Sequence, residues 1–261
     1  MTIRSRNRVN FVFLVFSALI LLINCLFFAY HLFTNKITYS SLNLYDFWSV
    51  IANIFLINLY VVVISIIIIR TFEKTQATEV LFFLVFLLAL LFDTSRLYVP
   101  VYALNRNYSE TLIHLGNFTL AARLLAPISL FSLTAFSAEE YRQQTERNCL
   151  ITILIAVFFA IIIPLNTSVI RENLCISYAF ARAISFFSHI ICTISVITLF
   201  VHNNKNDFSQ MNTLGFFMII IGYNLLFYRH RIIGSIFGTA FLSTGTAFYL
   251  STLHQHYLWT D

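Results

Sequence analysis

Long stretches almost free of charge alternate along the chain with short polar intervals. The apolar stretches run from Phe11 to Phe33, Phe47 to Ile69, Val80 to Tyr98, Leu112 to Ala135, Leu150 to Ile170, Cys175 to Val201, Leu214 to Tyr228 and Ile232 to Leu253. Crossing a bilayer core of about 30 Å takes about 20 apolar residues at about 1.5 Å of helix rise each, and these stretches come near that length. Runs such as Val61 to Ile69 and Leu81 to Leu91 are apolar on every side. They predict helices, because a barrel strand alternates apolar and polar positions over about 10 residues. The expected fold is an all-α, polytopic transmembrane bundle of eight spans, a single integral membrane domain over residues 1–261 without a soluble domain. Only Tyr228, Arg229, His230 and Arg231 separate the last two stretches. That spacing predicts a helical hairpin or one tilted or re-entrant segment, with seven spans as the fallback.

Composition agrees with this reading. Of 261 residues 59% are hydrophobic and 10% charged, against about 25% charged in a soluble domain, so the solvent for most of the chain is lipid. The formal charge of +5 is spread over loops and apolar stretches, which describes membrane topology and excludes a nucleic-acid footprint. Basic residues collect in cytoplasmic loops. Arg4, Arg6 and Arg8 before the first span place the N-terminus in the cytoplasm of a plasma-membrane protein. Arg70, Lys74, Arg142, Arg147 and Lys205 then fall inside, and Lys36, Arg106 and Arg171 outside, while Arg229 and Arg231 fall outside against the rule. The first apolar run is too long for a cleaved signal peptide. Pro127 and Pro164 predict a kink or an end in their helices.

The informative residues are ionisable groups inside apolar stretches, each of which costs several kcal/mol unless it is paired, snorkels or faces a cavity. Arg123 stands mid-span in the fourth stretch and Arg182 in the outer half of the sixth; Asp93 and Arg96 stand three residues apart, on one helical face, toward the outer end of the third. Helical spacing adds Gly116 and Thr119 to the Arg123 stripe, and Tyr178, Ser185 and His189 to the Arg182 stripe. Similar depths would let Asp93, Arg123 and Arg182 meet in one pocket open to the outside. Two readings follow. In one, Asp93 staples an arginine while Arg96 snorkels to the headgroups; in the other, surplus guanidinium charge receives an anionic ligand or a lipid headgroup. The candidate ligand-binding set is Asp93, Arg96, Arg123, Arg182, Tyr178, His189 and Thr119. A proton relay through Asp93 and His189 is a third use of the same groups.

No catalytic set is expected. Paired intramembrane aspartates, a Ser–His pair and HExxH are all missing, and Glu139-Glu140-Tyr141-Arg142 misplaces the arginine of the Glu-Glu-x-x-x-Arg signature of membrane-embedded CAAX proteases. Neither a metal nor a cofactor is expected, because His254-Gln255-His256 does not suit a helical metal site and Cys25, Cys149, Cys175 and Cys192 form no CxxC, reading instead as small buried hydrophobes. Gly234 and Gly238, with Gly245 beyond them, form a close-packing face, either internal or a homodimer interface. Asn107-Tyr108-Ser109 and Asn166-Thr167-Ser168 match a glycosylation acceptor in outer loops. A transporter of a small anion or lipid and a structural subunit of a membrane complex stay open beside a receptor-like or accessory protein. Against transport stand the scarcity of helix breaks and the absence of an internal repeat.

The run Leu81 to Leu97, containing Asp93 and Arg96, followed by Gly116 to Phe136 with its central Arg123, resembles the seven- or eight-span membrane sensory regions that bacteria place before kinase or cyclase domains. The resemblance implies a polar core of Asp93, Arg96 and Arg123. After Leu253 only His254 to Asp261 follow, so no output domain is expected and signalling would pass through a separate protein partner.

Overall fold

The computed structural model describes residues 3–33, 44–73, 78–103, 109–136, 144–205, 210–228 and 232–259. Lys36, Lys74, Arg106, Asn107, Arg142, Arg229 and Arg231, with the Glu139–Arg142 motif, lie outside the described residues. The elements are α1 (Ile3–Phe33), α2 (Leu44–Thr71), α3 (Glu79–Asp93), a 3₁₀ segment (Thr94–Tyr98), α4 (Val99–Ala103), α5 (Ser109–Ala135), α6 (Thr145–Ile162), β1 (Leu165–Ile170), β2 (Ile176–Tyr178), α7 (Ala181–Lys205), α8 (Gln210–Tyr228) and α9 (Ile232–Trp259). Among the described residues eight helices are long and apolar enough to cross a membrane, the third being α3 carried on through the 3₁₀ segment and α4. The all-α fold and its eight helices are therefore as the pattern of apolar stretches predicts.

α3 is the axis of the bundle: 78% of its span is buried, against 11% of the α1 span. Its all-round apolar sequence explains this, since Phe82, Phe83, Phe86, Leu87 and Leu90 find partners on every side. α1, α6 and α7 are peripheral and expose Leu26, Phe158 and Phe186, the surface expected of helices solvated by lipid. Cys25 belongs to that exposed surface and is not a buried hydrophobe, unlike Cys175 and Cys192.

Polar side chains inside the bundle tie helices together, because in hydrocarbon each needs a partner. Asn24 on α1 donates to Thr94 Oγ1 at 3.3 Å and accepts from the Tyr98 hydroxyl at 2.6 Å, fixing α1 to the 3₁₀ segment. Asn53 on α2 donates to the Leu226 carbonyl of α8 at 2.9 Å, Tyr60 and Thr246 share a 2.5 Å hydrogen bond between α2 and α9, and Tyr257 donates to Glu79 Oε2 at 2.7 Å.

The last two spans form an antiparallel helical hairpin. A Cβ on Gly222 would stand 2.5 Å from the Leu242 nitrogen and 2.8 Å from the Gly238 carbonyl oxygen; one on Gly215 would stand 2.8 Å from the Tyr249 nitrogen and 2.9 Å from the Gly245 oxygen. The pairs step by seven residues in opposite directions along α8 and α9, so the two backbones touch along two turns of each helix. Gly238 is thus committed to α8 and Gly234 is buried within the chain. The close-packing face is internal, which removes the reason for a homodimer through Gly234 and Gly238.

Two stretches read as continuous helix are interrupted. α6 ends at Ile162, with the Ile163 backbone extended ahead of Pro164, whose ring disfavours a helical residue before it. Leu165–Ile170 and Ile176–Tyr178 then pair antiparallel, Leu165 opposite Tyr178 and Ile170 opposite Ile176, with a bulge between. The fifth span therefore stops before Ile170, and the sixth begins at Ala181 and not at Cys175. The turn closes through Leu174 N–H to the Arg171 carbonyl (2.9 Å) and Arg171 N–H to the Cys175 carbonyl (2.8 Å), with Leu174 at φ 63°. Leu174 is fully buried among Phe47, Ile51, Ile54 and Leu97, which holds it in that left-handed conformation. Ile176 packs with Val99 and Leu112. Gly116 makes this contact possible, since a Cβ there would meet Leu165 Cδ1 at 2.7 Å. The β hairpin thereby closes one end of the bundle.

In the third span the break has a local cause. Pro100 has no N–H to offer the Arg96 carbonyl, and the Val99 N–H takes that carbonyl instead, one residue early, giving the 3₁₀ segment.

Candidate functional site

The site lies where α3 ends, beneath the β hairpin. Asp93, the last residue of α3, is fully buried. Arg123 of α5 donates from Nε to Asp93 Oδ1 at 3.0 Å. Arg96, one turn on from Asp93, approaches Oδ2 at 3.2 Å with an angle that makes the contact ionic and not hydrogen-bonded. Arg96 is 1% exposed, so it does not snorkel to headgroups; the short 3₁₀ turn folds it back on its own carboxylate. One carboxylate thus serves two guanidinium groups in the interior. Nη2 of Arg96 and Nη2 of Arg123 are buried and have no acceptor among the described residues.

Arg123 reaches past this triad to a cavity of about 820 Å³. Besides Arg123 its walls include Arg171 and Glu172 from the β hairpin, Tyr178 from β2, Arg182 and His189 from α7, and Phe227 from α8. The Arg123 guanidinium lies 5.6 Å from the Phe227 ring, and the Arg171 guanidinium stacks 4.8 Å from the Tyr178 ring. The Tyr223 hydroxyl donates to the Arg123 carbonyl at 3.4 Å, bracing this turn of α5 against α8. His189 Nδ1 lies 2.5 Å from the Ser185 carbonyl of its own helix. Burial pushes the Cys175 thiol above its ordinary range; Arg123, Arg96 and Arg171 pull it down and Asp93 adds to the rise, so that thiol stays neutral behind the cavity.

Of the seven residues singled out in the sequence, Arg123, Arg182, Tyr178 and His189 line this cavity, while Asp93 and Arg96 stand behind Arg123. Thr119 does not join them: it is buried and its hydroxyl donates to the Gly116 carbonyl at 3.0 Å. Tyr178 arrives on a strand and not on the helical stripe with Arg182. Arg182 is exposed in the first turn of α7 rather than deep in a span, because α7 begins only at Ala181. The cation that shares the carboxylate with Arg123 is Arg96 and not Arg182.

Sequence reasoning missed Arg171, Glu172 and Phe227. Arg171-Glu172-Asn173 reads as a short polar loop, and only the β pairing turns it over the triad. Arg123, Arg171 and Arg182 therefore converge from three different elements on one space. Such a space suits an anion that can accept from several guanidinium forks at once. Among the described residues no three His, Cys, Asp or Glu side chains converge as a metal site would require. A second, apolar cavity of about 390 Å³ between α1, α3 and α6 is lined by Phe13, Leu84 and Glu146 and carries no guanidinium.

No family model matches the chain, and no curated protein or solved structure is significantly similar to it. What the site does rests on its own geometry.

Proposed function

We propose that this is a multi-pass plasma-membrane protein, one integral domain with a cytoplasmic N-terminus, whose arginine-lined cavity opens to the outside and receives an anionic ligand. It acts as a receptor-like or accessory subunit, passing occupancy to a separate protein partner. The observation that carries this reading is Arg123. A buried guanidinium spends Nε on Asp93, leaves Nη2 without an acceptor, and lines a cavity that two further arginines enter from the β hairpin and α7. A structural staple would need one arginine for one carboxylate; the surplus calls for an acceptor from outside the chain. The resemblance of Leu81–Leu97 and Gly116–Phe136 to bacterial membrane sensory regions favours signalling over catalysis.

Native mass spectrometry of the protein released from nanodiscs tests the proposal. The wild type is expected to carry a retained anionic adduct that is lost in both Arg123→Gln and Arg182→Gln. A bare wild-type mass, with variants that only unfold more easily, would reduce the arginines to staples.

A further inference from the structure

The charge around the cavity specifies the anion more narrowly. Arg96, Arg123, Arg171 and Arg182 stand against Asp93 and Glu172, and Asp93 is shared between two of the four. The surplus is two positive charges. Neither Arg171 nor Arg182 enters an ion pair among the described residues. A single carboxylate would leave half of the surplus uncompensated next to the buried Asp93 and Arg96, where uncompensated charge is expensive. A phosphate monoester carries about −1.5 to −2 charges at pH 7 and three acceptor oxygens, one for each of the guanidinium groups that line the cavity. Ala181 and Arg182 lie in the first turn of α7 and both line the cavity, so the positive end of that helix adds to the same field. Phe227, Phe186 and Ile170 supply an apolar wall beside the charged one, and Phe186 is 65% exposed on the flank where lipid solvates α7.

We propose that the cavity is a phosphate-monoester site in which Arg123, Arg171 and Arg182 each take one phosphate oxygen while the Phe227 and Phe186 side accommodates the rest of the molecule. This rests on the anion-receptor reading above and assigns its ligand class. The phosphate has two sources, the headgroup of a phosphatidic-acid-like lipid entering from the bilayer and a soluble phosphate monoester entering from water.

The test compares purified full-length protein in phosphatidylcholine nanodiscs with protein in nanodiscs doped with phosphatidic acid or phosphatidylglycerol. A third arm adds glycerol 3-phosphate, and a fourth adds succinate, to the undoped discs. Thermal stabilisation is the readout. Stabilisation by phosphatidic acid but not by glycerol 3-phosphate supports the proposal with the lipid as the source; stabilisation by both supports it with the soluble ester sufficient. In either case the phosphodiester phosphatidylglycerol, with its single charge, should bind about tenfold more weakly than phosphatidic acid, and Arg171→Gln should weaken phosphate binding about tenfold. Arg171 sits on the hairpin turn outside the buried triad, so without ligand this variant loses only its stack on Tyr178 and is expected to keep the fold with a slightly lower melting temperature, against which its ligand-induced shift is read. Stabilisation by succinate alone, lost in Arg123→Gln, would overturn the phosphate assignment and leave the anion receptor standing. Stabilisation by none of the four anions would overturn both.

Discussion

Asp93→Asn is expected to destabilise the folded protein by about 3–5 kcal/mol, the cost of leaving buried charge without its partner. The carboxylate lies 3.0 Å from Arg123 Nε and 3.2 Å from Arg96 Nε, and nothing else among the described residues forms a salt bridge with either guanidinium. An asparagine of the same shape keeps the packing and removes the charge, so two adjacent buried cations face each other uncompensated. Arg123→Gln should cost less, because Asp93 then keeps Arg96 as its ion pair. The double variant Asp93→Asn, Arg123→Gln removes one charge of each sign and is expected to recover about 1–3 kcal/mol relative to the sum of the single effects. Equilibrium unfolding in detergent, followed by tryptophan fluorescence, measures all three. Strictly additive costs would mean that the triad is not an electrostatic unit.

Gly222→Leu is the second large effect, and it acts through backbone contact with no charge involved. Even a methyl at this position would stand 2.5 Å from the Leu242 nitrogen and 2.8 Å from the Gly238 oxygen. Overpacking against movable side chains costs about 1–3 kcal/mol. Here the atoms in the way are main-chain atoms of a facing helix, so the α8–α9 hairpin has to separate and take its hydrogen bonds to α2, Asn53 to Leu226 and Tyr60 to Thr246, with it. The expected outcome is loss of the monodisperse folded species in fluorescence-detected size-exclusion chromatography. Ile233→Leu, at a position 65% exposed on α9, should be indistinguishable from wild type. Equal behaviour of the two variants would contradict the glycine-mediated packing.

The number and type of the spans are legible because hydropathy averaged over twenty residues reports a solvent, and that solvent is the same along each helix. Where a shorter-range cause competes, the pattern misleads. Leu165–Ile170 follows the apolar run of α6 with no charged residue between, yet Pro164 ends α6 and the chain pairs with Ile176–Tyr178. The signals in the sequence are the proline and the polar Asn166-Thr167-Ser168 after it, which allow a helix to end without requiring a hairpin. The site shows the same division. Asp93, Arg96 and Arg123 stand out because each interrupts a long apolar run, and the i, i+3 spacing of the first two foretells their contact. Arg171 is silent in the sequence, since an arginine beside Glu172 and Asn173 looks like any solvated loop. Its place over the cavity is set by Leu174 plugging into α1, α2 and the 3₁₀ segment, and by Gly116 admitting Leu165. Thr119 shows the converse: a helical stripe groups residues by angle, but its hydroxyl finds an acceptor in its own helix before it reaches the cavity.

The most direct test of the account is whether the arginine-lined cavity is open to water on the outer face. Ser185 lines it one turn of α7 beyond Arg182 and is half-buried. Ser185→Cys should react with a membrane-impermeant maleimide added to intact cells, above the background of the wild type. There Cys175 and Cys192 are buried and Cys25 and Cys149 lie within spans. Labelling only after the cells are permeabilised would put the cavity on the cytoplasmic side, and labelling only after denaturation would mean that no open cavity exists.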